Sequence, residues 1–118
     1  MPNLKGILAT HVAAVNAFDL DAIVATFARD ALVNDNRREF WGIDAIRGWV
    51  AKELVGDKVT MQITDVIERG NETVVRARYD GTFDKTNLPA ELILTNYFTV
   101  RDGKIVTLVV TRVTPASY

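Results

Sequence analysis

The sequence predicts an α+β domain, with three N-terminal helices packed on one face of a curved antiparallel sheet. Up to Leu54, apolar residues recur mostly at helical spacing. From Val59 onward they alternate with polar residues, as strands do. No linker, repeat or low-complexity segment interrupts the chain, so residues 1–118 are expected to form one domain.

The first helix is expected from Leu4 to Asn16. Its stripe holds Leu4, Ile7, Leu8, Val12 and Val15, with His11 inside it, and Pro2 and Asn3 suit its start. In "NAFDLDA", Asp19 is a candidate N-cap and Asp21 falls in the first turn, where negative charge is favourable. The second helix runs through Ala22, Ile23, Thr26 and Phe27 and is expected to end near Asp30. Ala31 to Val33 is a short strand entering an Asn-Asp-Asn turn, and Arg38 to Trp41 is a second short strand. Ile43 to Leu54 is the third helix, with Ile43, Ile46, Trp49, Val50 and Leu54 on one face.

A four-strand antiparallel meander follows. Val59, Met61 and Ile63 alternate with Thr60, Gln62 and Thr64, and "RGNE" is a turn. Val75, Ala77, Tyr79, Gly81 and Phe83 share a face, and "DKTNLP" is a loop. Leu92, Leu94, Asn96, Phe98 and Val100 form the next alternating set, and Asp-Gly in "RDGK" marks a hairpin. Ile105 to Val113 is apolar on both faces over much of its length and needs cover on both. Helices on one side only would leave its outer face bare, so a homodimer through the sheet is expected.

Composition excludes several function classes. The chain has no cysteine, hence no disulfide scaffold, cysteine nucleophile or thiolate metal site. One histidine cannot form a multi-histidine metal site within the chain. A net charge of −1, with both signs interspersed, lacks the basic footprint of a nucleic-acid binder. No signal-peptide pattern or membrane-length apolar run is present, so a cytoplasmic location is the expectation.

The segment "HVAAVNAFDLDAIVATFARDALVND" resembles the start of the nuclear transport factor 2-like superfamily. That group includes bacterial ketosteroid isomerases and SnoaL-type polyketide cyclases. "AAVNAFDLDAIVATFARDALVND" resembles the isomerase pattern without gaps, "WGIDAIRGWV" the helix that follows, and "DGKIVTLVV" the last hairpin. The resemblance implies a cone-shaped pocket between helices and curved sheet. It also implies roles. Asp35 stands where the isomerases carry their proton-shuttling base. His11 stands where they carry a tyrosine that donates to the oxyanion, and Asn96 where they carry a protonated aspartic acid as second donor. The base is kept and both donors are replaced.

Such chemistry needs a base beside the carbon and donors beside the oxygen. Asp35 would be the base, with neutral His11 and the Asn96 amide as donors. Each residue also has a structural reading. Asp35 between two asparagines is a natural turn former. His11 on an apolar stripe is a core histidine, and Asn96 on the Leu92/Leu94/Phe98 face either braces the fold or meets a ligand. Trp41, Phe27, Trp49, Tyr97 and Phe98 are candidate pocket walls, with core packing as the alternative. Arg38, with Arg37, either forms a solvated edge or a salt bridge to Glu39, or meets an anionic ligand group at the rim. The epoxide hydrolases of the superfamily pair an arginine with two aspartates, and no second aspartate accompanies Asn96 on its face. The expected function is therefore a pocket for an apolar small molecule, with isomerase- or cyclase-type chemistry needing no metal or cofactor. The alternative is a non-catalytic ligand-binding protein.

Overall fold

The computed structural model describes residues 4–112. Pro2, Asn3 and Val113, assigned above to a helix start and a strand end, lie outside that range. Helix α1 is Gly6–Asn16, and α2 is Leu20–Val24. Strands β1 (Phe27–Asp35) and β2 (Arg38–Trp41) follow. Helix α3 (Gly42–Trp49) continues into a π-helical turn, Val50–Val55. The meander is β3 (Thr60–Arg69), β4 (Glu72–Asp80), β5 (Leu92–Arg101) and β6 (Lys104–Arg112). Among the described residues, no helix is long and apolar enough to cross a membrane.

Six strands form one sheet in the order β2-β1-β6-β5-β4-β3. The meander is antiparallel as expected, but β1 runs parallel to β6, so the sheet is mixed. A parallel pair needs a long crossover, and the chain between β1 and β6 supplies it. The helices lie on one face. The core between them and the sheet includes Val15, Ile23, Ile46, Val50, Val75, Phe98, Ile105 and Leu108.

The second helix is shorter than expected. Asp19 caps it, its carboxylate accepting from the Ala22 N–H at 3.1 Å. Its other end is closed by Thr26, whose backbone N–H and hydroxyl both donate to the Ile23 carbonyl. The Thr26 carbonyl then accepts from Ile105 N–H, which draws the chain onto β6. Thr26 and Phe27 therefore leave the helix, and β1 starts four residues before Ala31. β-Branched and aromatic residues suit that change.

The turn after β1 also differs. Asn36 and Arg37 occupy it, with φ of 51° and 75°. Two positive-φ residues between antiparallel strands make a type I′ hairpin. The Asn34 side chain accepts from Arg37 N–H at 2.9 Å, and Asn36 N–H donates to the Val110 carbonyl at 2.9 Å. Asp35 is thus the last residue of β1, paired in register with Arg38, and not the turn former.

Candidate ligand-binding and catalytic site

A cavity of about 420 Å³ opens between the helices and the inner face of the sheet. That is the size of a small-molecule site. Helix α1 contributes His11 and Val15, β1 Asp35, β4 Tyr79, and β5 Leu92, Leu94 and Asn96. Trp49, Glu53 and Leu54 enter from α3 and the π-helical turn. That wider turn brings Glu53 and Leu54, four and five residues after Trp49, onto the same side; π-turns of this kind often occur at functional sites.

The cavity has a wet end and a dry end. Asp35 stands at the wet end, its side chain 20% exposed. Its Oδ2 accepts from Arg38 Nη2 at 2.7 Å and from Trp49 Nε1 at 3.1 Å. Oδ1 has no protein partner among the described residues. Arg38 also grips both oxygens of Glu53, at 2.9 and 2.6 Å. The bond to Glu53 first, then the charges of Asp35 and Glu53, raise the Arg38 pKa against a lowering by burial, so it is a fixed cation. Glu53 and Asp35, not Glu39, are therefore its partners. Asp57 and Arg112 add further charge to this lining.

At the dry end, His11 and Asn96 are each only 2% exposed. The Asn96 amide donates at 3.3 Å to the Val75 carbonyl, which can only accept. That fixes the amide's orientation, and its Oδ1 accepts from the Tyr79 hydroxyl at 3.0 Å. Burial raises the Tyr79 pKa, so the phenol is neutral. His11 Nδ1 lies 3.0 Å from Thr26 Oγ1. The Thr26 hydroxyl donates to the Ile23 carbonyl at 2.6 Å, so its one proton is engaged and it accepts from the ring. His11 therefore carries its proton on Nδ1. Burial lowers its pKa to about 4, so the ring is neutral near pH 7.

Asp35, His11 and Asn96 thus line one cavity, as do Trp49 and Arg38. Four of the expected wall residues do not. Trp41 is 66% exposed on the outside, because β2 is a short edge strand. Phe27 and Phe98 lie behind the lining and hold His11 edge-on, with ring centroids 5.4 Å away in each case. Tyr97 points out of the opposite face of β5. The N–H expected of His11 for a ligand is engaged by Thr26. Tyr79, Met61 and Glu53 line the cavity unanticipated as site residues. The alternation of β4 did place Tyr79 inward, but nothing local shows that its hydroxyl reaches Asn96. Among the described residues, no group of three or more histidine or acidic side chains is placed to hold a metal.

A SnoaL-like domain model matches residues 8–108. The chain belongs to the SnoaL-like family. Among solved structures, a candidate polyketide cyclase from Sinorhizobium meliloti is 29% identical, with a TM-score of 0.81, over 92% of this chain and 95% of that one. A protein with a ketosteroid isomerase-like fold from Catenulispora acidiphila, solved with trimethylamine, is 20% identical (TM-score 0.78; 92% and 86% covered). SalBIII, an epoxide hydrolase/cyclase-like enzyme of pyran ring formation in the polyether salinomycin, is 24% identical (TM-score 0.79; 90% and 87% covered). The last two likenesses show the fold alone. No curated protein sequence matches this chain. Family and neighbours together establish a member of the nuclear transport factor 2-like superfamily, the group that the sequence resembled.

Proposed function

We propose that this SnoaL-like protein performs cofactor-free acid–base chemistry of isomerase or cyclase type on an apolar carbonyl compound. The observation that carries this is the convergence of Asp35, His11 and Asn96, from three separate elements, on one largely apolar cavity. Asp35 is the proton-handling group. Arg38 and Trp49 hold one of its oxygens, which fixes the carboxylate and leaves the other to receive a proton. The second amide hydrogen of Asn96 is the donor left for a carbonyl oxygen. The Sinorhizobium relative, as a candidate polyketide cyclase, supports the same class.

The test is Asp35→Asn. Asparagine still offers Trp49 an acceptor, so the pocket should keep its shape. Turnover of enolisable apolar ketones should fall at least a hundredfold, as for loss of a general base, with ligand affinity retained. A native protein that binds such ketones but converts none of them instead supports the second reading, a non-catalytic binding protein. The internal bonds of His11, Tyr79 and Asn96 favour that second reading, because they leave few donors to activate a carbonyl.

A further inference from the structure

The dry end of the cavity offers acceptors where an oxyanion site would offer donors. Three side chains meet there, and their protons are directed inward to the protein. Tyr79 donates to Asn96, Asn96 donates to Val75, and His11 donates through Thr26 to Ile23. What remains is one Asn96 amide hydrogen, the lone pairs of the Tyr79 hydroxyl oxygen, and His11 Nε2. That nitrogen is unprotonated, since the ring is neutral with its proton on Nδ1. It has no protein partner among the described residues, yet no fully buried side-chain nitrogen or oxygen there is left unsatisfied. Nε2 therefore touches accessible space, and for a ring this deeply buried that space is the cavity it lines.

We propose that His11 Nε2 accepts a hydrogen bond from a ligand hydroxyl, so that the cavity selects apolar ring compounds carrying a neutral phenol, enol or alcohol. Thr26 is the positioning residue, because its bond to the Ile23 carbonyl fixes the His11 tautomer. Phe27 and Phe98 hold the ring edge-on from two sides, which restricts its tilting. A ligand that only accepts would leave the Nε2 lone pair dry and unpaired, a loss that hydrogen-bonding sites use to reject the wrong analogue. The inference rests on the cavity being a small-molecule site, and not on Asp35 being a base.

His11 is the only histidine of the chain, so a ¹H–¹⁵N spectrum of the imidazole is unambiguous. At pH 7 the free protein should show a protonated Nδ1 and an unprotonated Nε2. A protonated Nε2 overturns the proposal directly, without any ligand. The probes are 2-naphthol, which donates, and 2-methoxynaphthalene and 2-acetylnaphthalene, which only accept. Naphthol should shift the Nε2 resonance and bind about tenfold more tightly than either of the others, the ordinary worth of one hydrogen bond. In His11→Phe, which keeps an aromatic ring, that preference should disappear. In Thr26→Val it should fall while the protein stays folded. Equal affinity for the three probes in the native protein overturns the inference but leaves a binding pocket in place. Binding of none of them overturns the pocket reading and the inference with it.

Discussion

The burial of neutral His11 makes the stability of the protein depend on pH. The His11 pKa falls from 6.5 in the unfolded chain to about 4 when folded. Between those values the unfolded state binds a proton that the folded state does not, so stability rises with pH across the window. The contribution is therefore full above pH 6.5 and is lost as pH drops toward 4. The full shift corresponds to about 3 kcal/mol. Carboxylates titrate in the same range, so the test compares proteins. Urea unfolding of the native chain should weaken by about 3 kcal/mol more than that of His11→Phe between pH 7 and pH 4. Parallel pH dependence in the two would show that the His11 pKa is not lowered on folding. The sequence already placed His11 on the inner stripe of α1, because helical spacing is local information. It did not reveal which nitrogen carries the proton. That depends on Thr26, fifteen residues away, leaving the helix and turning its hydroxyl toward Ile23.

Two hairpins of this fold use the same turn with different residues. Asp102 and Gly103 join β5 to β6 with φ of 53° and 74°. Asn36 and Arg37 join β1 to β2 with φ of 51° and 75°. Glycine adopts such angles freely, whereas arginine in the left-handed region is strained by about 1 kcal/mol. No side-chain hydrogen bond or salt bridge of Arg37 is found among the described residues to offset this; its N–H bond to Asn34 is a backbone one and would survive substitution. Arg37→Gly should therefore stabilise the protein by up to about 1 kcal/mol, reduced by the greater freedom of glycine in the unfolded chain. A higher urea midpoint with an unchanged slope is the expected result, and a lower midpoint would show that the Arg37 side chain holds the hairpin in place. The Asp-Gly hairpin was legible in the sequence because its residues suit the turn. The Asn-Arg hairpin was not, because three consecutive Asx residues suggested the turn one position too early. That single shift decides whether Asp35 faces water in a turn or the cavity from the end of a strand. The π-helical turn after Trp49 was equally hidden, since its apolar pattern reads as a continuation of α3.

Among the described residues, the helices cover one face of the sheet and none packs on the other. Cross-strand register aligns Ile67, Val74, Tyr97 and Val109 in one row over that outer face. Ile67 is 43% exposed and Tyr97 37%. Arg76 and Thr111, exposed in the next row on either side of the buried Thr95, give the apolar strip a polar margin, as interfaces commonly have. We propose that a second copy of the chain covers this strip, giving the homodimer expected from the last strand. A twofold contact is self-complementary, so one row serves both partners. Tyr97 lies in the row between Val74 and Val109, and aromatic residues there carry much of the association energy. Tyr97→Lys should weaken association at least a hundredfold, because two lysines would face each other across the axis. In sedimentation velocity the native chain should run as a dimer at tens of micromolar and the variant as a monomer. Alternation along β5 points Tyr97 away from Asn96 and Phe98, so the cavity should keep its ligand preference in the monomeric variant. A native chain that sediments as a monomer at every concentration would leave the strip uncovered and refute the dimer; a variant that loses ligand binding along with its partner would instead mean that the sheet holds its cavity-forming curvature only when paired.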